Sequence, residues 1–295
     1  MEATSHGFRR GPELQEALNA RIEARAGKTT ETLDRYQSDI ENLRDYIVPL
    51  GAGGRIHYTA NGHVNVEEHV DVKYDDAARN HTAIERVWTL HPHASTQLGE
   101  RLGIPGTFIR DLVAGEDWQR KAAADLLEAH TQHAGRERLL FRSVGDELRG
   151  VLSDSYKRID SMRILKEIWD NAREAGALPV NAHFTDTRFY AEFLNPVVVE
   201  IPTANNGTRY QAFGLRVQNS DFGDGALDIR LLMIEAICDN GAIVSSAFRQ
   251  IHLGGKLPDD LNLSERTYRL DSHATASAVR DITKHLLSST RVKTE

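Results

Sequence analysis

The run Ala226–Cys238, ALDIRLLMIEAIC, restricts this chain more than any other stretch. Its apolar residues fall on both alternating faces, so a strand here cannot turn a whole side to water. It reads as an internal strand of a covered sheet. The surrounding segment, Val217–Gly255, places Asn219, Ser220, Cys238, Asn240, Gly241, His252 and Gly254 at the corners of that strand. Asn-Ser-Asp and Asp-Asn-Gly are turn formers that set amides and hydroxyls at strand ends, where sites are usually built. The same residues also serve simply to cap a sheet edge.

Upstream, Pro12–Ala26 and Thr30–Ile47 read as two helices separated by Gly27-Lys28. Leu33, Tyr36, Ile40, Leu43 and Ile47 line one face of the second. That stripe reads first as a packing face for the chain's own body and second as a homo-oligomer contact. Ile56–Val66, centred on Asn61-Gly62, is a hairpin pattern, because this dipeptide accepts the positive φ angles of a type I′ turn. Ser95–Leu102 and Thr107–Val113 are short helices joined through Gly103-Ile104-Pro105. They imitate a DNA-reading helix-turn-helix, yet FIRDLVAG offers base edges little beyond Arg110. Packing against a helix over Asp117–His133, with Trp118, Ala122, Leu126 and Ala129 inward, is the plainer account.

From Arg138 the chain turns β-rich. Arg138–Val144 and Leu148–Leu152 pair across Gly145-Asp146, and Asp160 stands where its side chain would cap a helix Ser161–Glu174. Met162, Leu165, Ile168, Trp169 and Ala172 give that helix a buried face. Strands over Pro179–Phe184, Arg188–Leu194, Val197–Ile201, Tyr210–Val217, Ala226–Cys238 and Ala242–Ser246 follow. Lys256–Arg269 reads as polar loop and Ser272–Ser289 as a terminal helix. The pattern predicts an α+β fold: a mixed, mainly antiparallel sheet with helices on one face, preceded by a helical N-terminal region. The expected segments are 1–54 helical, 55–137 hairpin plus helices, 138–255 a sheet-centred core, and 256–295 loop and C-terminal helix.

Composition supports a soluble globular chain: 295 residues, 40% hydrophobic and 27% charged, suffice for one large domain or two modest ones. One cysteine excludes a disulfide framework or a multi-cysteine zinc cage and points to a reducing, cytoplasmic compartment. The N-terminus lacks an apolar core of signal-peptide length, and no apolar run approaches a membrane span, so no membrane partner is expected. The net charge of −7 excludes a uniformly cationic surface while allowing a local basic groove.

Spacing tells against most chemistry. Gly223-Asp224-Gly225, Gly51–Gly54 and Gly254-Gly255 lack the Lys-Ser/Thr and helix of a phosphate loop. His91-Pro92-His93 and the pair His63 and His69 lack the helical i, i+4 arrangement of a metalloprotease, so neither a metal nor a cofactor is expected. Cys238 adjoins Asp239, which opposes a thiolate.

Four segments, Asp45–Pro49 (DYIVP), Gln97–Pro105 (QLGERLGIP), Leu148–Asp160 (LRGVLSDSYKRID) and Val217–Gly255, resemble in order the motifs of domain-of-unknown-function family 932, the phage/plasmid-like protein family. The resemblance covers about Asp45 to Gly255. It implies a habitat in mobile genetic elements and carries no defined activity.

The remaining polar residues suggest nucleic acid as the partner. Arg149, Lys157, Arg158 and Arg249 stand beside predicted strand ends as backbone-gripping groups, and Tyr156 as a ring on which a base can stack. Asn219, Ser220, Asn240 and His252 form a second expected cluster. Asp154 with Asp160 is the alternative, an acid–base pair of a carbohydrate or nucleotide hydrolase. The expectation is a phage or plasmid nucleic-acid-transaction protein that binds single strands and promotes annealing. Its element order is analogous to that of phage annealing proteins at the level of fold alone. An enzyme acting on nucleotides or nucleic acid, and a structural or host-interference protein working through protein contacts, are the alternatives.

Overall fold

The computed structural model describes residues 11–49, 54–58, 64–70, 84–133, 138–202, 208–235, 241–250 and 264–287. Its first element is one helix, α1 (Gly11–Ile40), rather than two. Leu14, Leu18, Ile22, Thr29, Leu33, Tyr36 and Ile40 form a continuous buried stripe through Gly27. An isolated glycine costs a helix only about 1 kcal/mol relative to alanine, which this stripe outweighs. Thr29 and Thr30 also turn their hydroxyls back onto the carbonyls of Arg25 and Ala26, at 2.9 and 2.8 Å. The predicted continuation to Ile47 is instead strand β1 (Leu43–Pro49), where an aromatic, two β-branched residues and a proline suit an extended chain.

The fold is α+β, and its strands form two sheets in two compact units. One unit is built chiefly from Asp39–Tyr156. The other is built from Met1–Ser38, Lys157–His252 and Asp259–Glu295. The chain therefore divides at other points than the expected segments, and residues 138–255 do not share one sheet.

In the Asp39–Tyr156 unit the order is β1-β5-β6-β4-β3-β2, with β2 (Gly54–Tyr58), β3 (Val64–Val70), β4 (Ile84–Leu90), β5 (Arg138–Val144) and β6 (Glu147–Ser153). β2 and β3 are antiparallel, as the Asn61-Gly62 hairpin pattern requires, although residues 59–63 lie outside the described residues. β4 and β6 run parallel, and the other pairs are antiparallel. Helices α2 (Pro92–Arg101), α3 (Gly106–Val113) and α4 (Asp117–His133) bury Leu98, Ile109 and Leu127 with Trp88, Phe141 and Val151. The helix-turn-helix imitation is thus a packing device. Gly106 permits it, since a side chain there would run into the Thr96 carbonyl oxygen. α4 buries Ala123, Ala124, Leu127 and Thr131, and of the predicted face Leu126 packs partly buried against this core while Ala129 is exposed. Trp118 is 65% exposed, its Nε1 donating to Glu116.

In the other unit the order is β12-β11-β10-β8-β7, all antiparallel: β7 (Leu178–Phe184), β8 (Arg188–Leu194), β10 (Thr208–Ser220), β11 (Leu227–Glu235) and β12 (Gly241–Gln250). The short β9 (Val199–Pro202) pairs with the first residues of β10, on the edge that β8 occupies further along. The apolar run is internal as far as described, because β11 lies between β10 and β12. Phe189, Ala191, Phe193, Leu215, Val217, Ile229 and Leu231 share one buried face by register. Helix α5 (Ser161–Glu174) covers it, with Trp169 edge-to-face against Phe193 at 5.8 Å. Gly214 is required by close approach, since a side chain there would collide with the Phe193 carbonyl of β8.

The last helix, α6 (Glu265–Leu287), begins seven residues before the predicted start. Ser264 nucleates it by accepting the Thr267 N–H at 3.3 Å, as an N-cap does.

Because Gly27 lies in unbroken helix with open space around the position of a Cβ, Gly27→Ala should stabilise the protein by roughly 0.5–1 kcal/mol. Urea denaturation reads this as a higher midpoint; a lower one would mean that α1 breaks at Gly27.

Candidate functional site

The corner Asn219-Ser220-Asp221, at the end of β10, is a joint with three bonded side chains. Asn219 Nδ2 donates to the Ile159 carbonyl at 2.8 Å and to Ser161 Oγ at 2.9 Å. Ser220 Oγ donates to Asp224 and accepts the N–H groups of Phe222 and Asp224, closing the turn. Asp221, fully buried, accepts the Tyr36 hydroxyl at 2.9 Å and the Ser161 N–H at 2.8 Å. The first N–H of α5 is therefore met by Asp221, sixty residues away in sequence. Asp160 occupies the N-cap position without a side-chain cap bond, contrary to the sequence expectation. A carboxylate at this end of the helix also meets its positive dipole. Asn219 and Ser220 are thus structural, and Asn240 and His252, their predicted companions, lie outside the described residues.

The basic residues expected to line a groove are also engaged. Arg149 and Tyr156 belong to one unit, and Lys157, Arg158 and Arg249 to the other. Arg149 is buried and bonded to Asp39 at 2.7 Å and Glu147 at 2.7 Å. Burial opposes its charge, but these hydrogen bonds outweigh it and raise its pKa. Tyr156 is buried beside Leu140 and Leu152, which removes its ring from any base. Lys157 pairs with Asp271 at 2.9 Å, and Arg158 is buried with its guanidinium 4.3 Å from the Tyr268 ring centroid. Asp154 is bonded to Arg138 at 3.0 Å and belongs to the Asp39–Tyr156 unit, whereas Asp160 belongs to the other.

Sequence reasoning missed the sheet face opposite α5. Register places His183, Tyr190, Gln218, Asp228 and Arg249 in one row across β7, β8, β10, β11 and β12. Asn181, Glu192, Arg216 and Arg230 form the next row. The signal was present in the alternation of R-x-Y-x-E at Arg188–Glu192, R-x-Q at Arg216–Gln218 and D-x-R at Asp228–Arg230. Polar residues at every second position mark the part of this face that no helix covers.

This face is layered by charge. Glu192 accepts from the Tyr190 hydroxyl at 2.5 Å, Arg216 at 2.9 and 2.5 Å, and Asn181 at 3.2 Å. Asp228 accepts twice from Arg230, at 2.9 and 2.6 Å. The Glu192 and Asp228 side chains are only 11% and 2% exposed, whereas those of Arg216 and Arg230 are 26% and 39% exposed. The carboxylates lie beneath and the guanidinium groups face solvent, held in place from below. The Tyr190 ring stands 4.7 Å from the His183 ring and 5.2 Å from the Arg216 guanidinium, so a stack crosses the strands and ends at the exposed imidazole of edge strand β7.

Beside this stack is a cleft of about 330 Å³, lined by His183, Thr185, Arg188, Tyr190, Gln218 and the turn at Gly225. Its size is within the range of small-ligand sites. Arg188, 57% exposed, is oriented by Asp224 at 2.7 Å. The cleft thus joins two rings, a forked cation, a hydroxyl and a neutral amide. Among the described residues no cluster of His, Cys, Asp and Glu has the grouping of a metal site, and His91 instead caps α2 by accepting the His93 N–H.

Comparison with protein-family models, curated proteins and solved structures returns no match.

Burial, followed by the hydrogen bond to Glu192, holds the Tyr190 hydroxyl protonated well above the ordinary tyrosine pKa of 10.0. An unfolded tyrosine ionises first, so this group's contribution to stability is complete below about pH 10 and is lost as pH rises further. Tyr190→Phe should flatten the alkaline fall in chemical-denaturation stability. An equally steep fall in the variant would refute the assignment.

Proposed function

We propose that the chain binds single-stranded nucleic acid across the polar face of the β7–β12 sheet, as a nucleic-acid-transaction protein of a phage or plasmid. Strand annealing is the transaction that such binding would serve. The carrying observation is the layered face: buried carboxylates fix partly exposed arginines beside a ring stack and an amide-lined cleft. Unpaired bases expose ring faces and hydrogen-bonding edges, which a sheet platform reads by stacking and by amide contacts. Guanidinium forks suit the phosphates between them. The resemblance to the phage/plasmid-like family supplies the setting, and the sheet face replaces the groove expected around Arg149 and Tyr156. Of the basic residues named from sequence, Arg249 stands in register with Asp228.

The test is fluorescence anisotropy with labelled single-stranded DNA, duplex DNA and RNA over a salt series. His183→Ala/Arg188→Ala removes the outer ring and the most exposed of the paired guanidinium groups on this face without opening the core. Single-strand affinity should fall by roughly tenfold or more, and the salt slope by about 0.7 for one lost phosphate contact. Unchanged affinity and slope in a folded double variant would remove this face from the interaction. That result would favour an enzyme or a protein-contact role.

A further inference from the structure

On the opposite side of the same unit, α1 and α5 enclose a groove of about 440 Å³. Arg163, Lys166, Asp170 and Arg173 follow one another along α5 at steps of three and four residues, so they form one stripe. Trp169 lies alongside, its orientation fixed by the edge-to-face contact with Phe193. From α1, Asp34 and Gln37 complete the wall. Lys166 and Arg173 are exposed, and Arg173 reaches Asp170 only at 3.6 Å. Arg163 Nη1 is buried and, among the described residues, meets no hydrogen-bond acceptor. A buried cationic donor in that state is costly, and an anionic oxygen in the groove would satisfy it.

We propose that this groove binds a nucleoside 5′-phosphate. The three cations take the phosphate, the indole supplies a face for the base, and Asp34 with Gln37 accepts from ribose hydroxyl groups. Two carboxylates at the rim would penalise a bare anion, so the base and sugar contacts separate a nucleotide from free phosphate. The groove's volume suits such a ligand. This assignment is independent of strand binding on the sheet face, because α5 covers the other side of that sheet.

Isothermal titration of the full chain with adenosine 5′-monophosphate, adenosine and inorganic phosphate tests it. The nucleotide should bind about tenfold or more tightly than either fragment. Lys166→Ala/Arg173→Ala, both at exposed positions, should abolish that advantage, and Trp169→Phe should weaken the nucleotide and leave phosphate unaffected. Single-stranded DNA affinity should be unchanged in the Lys166/Arg173 variant, and nucleotide affinity unchanged in His183→Ala/Arg188→Ala, so the two sites fail or stand separately. No binding at millimolar nucleotide, equal affinity for nucleotide and phosphate, or full affinity in the Lys166/Arg173 variant would each overturn the proposal.

Discussion

The buried carboxylate of Asp221 is the constraint on which the C-terminal sheet unit depends. It sits at the corner between β10 and β11, meets the first N–H of α5, and holds the hydroxyl of Tyr36 on α1. A fully buried carboxylate is tolerated only where hydrogen bonds replace its water, so these partners are obligatory. Asn219, two residues earlier, binds the same entry segment of α5 through the Ile159 carbonyl and Ser161 Oγ. Together they fix where β10 ends, and β10 carries the register to β8 and β11.

From that register follows the division of the sheet. Residues of one parity on β8, β10 and β11 are apolar and lie under α5; residues of the other parity turn Tyr190, Glu192, Arg216 and Gln218 outward. A slip of one residue would exchange the two faces. At the other end of the sheet Leu18 and Ile22 of α1 cover Leu194, Ala212 and Leu232, so polarity on this face is confined to the half near the β10–β11 corner. The site is therefore a remnant of incomplete coverage. Its carboxylates are beneath its arginines because pairing from below leaves each guanidinium fork pre-oriented toward solvent.

Much of this was legible in the chain. The ALDIRLLMIEAIC run announces an internal strand, Asn61-Gly62 a hairpin, and Leu165, Ile168 and Ala172 an amphipathic α5, because each depends on local periodicity. What failed depended on distant partners. Gly27 reads as a helix breaker until the buried stripe on both sides is seen, and Asp160 reads as the cap of α5 until Asp221 is found there. Arg149 and Tyr156 look available in sequence but are claimed by Asp39, Glu147, Leu140 and Leu152. Chain proximity places strands β5 and β6 with the later sheet, whereas they pair with β1 and β4. The alternation in RFYAEFL and LDIRLL was readable, and only the missing knowledge of which face lay uncovered hid its meaning.

Photo-crosslinking decides whether nucleic acid lies on the polar sheet face. A single-stranded oligonucleotide carrying a photoreactive thymidine is irradiated with the protein, and the labelled peptides are mapped by mass spectrometry. Crosslinks should concentrate in β7 and β8, at or beside His183 and Tyr190. Crosslinks confined to Asp39–Tyr156, or none above the level given by an unrelated acidic protein, would contradict it.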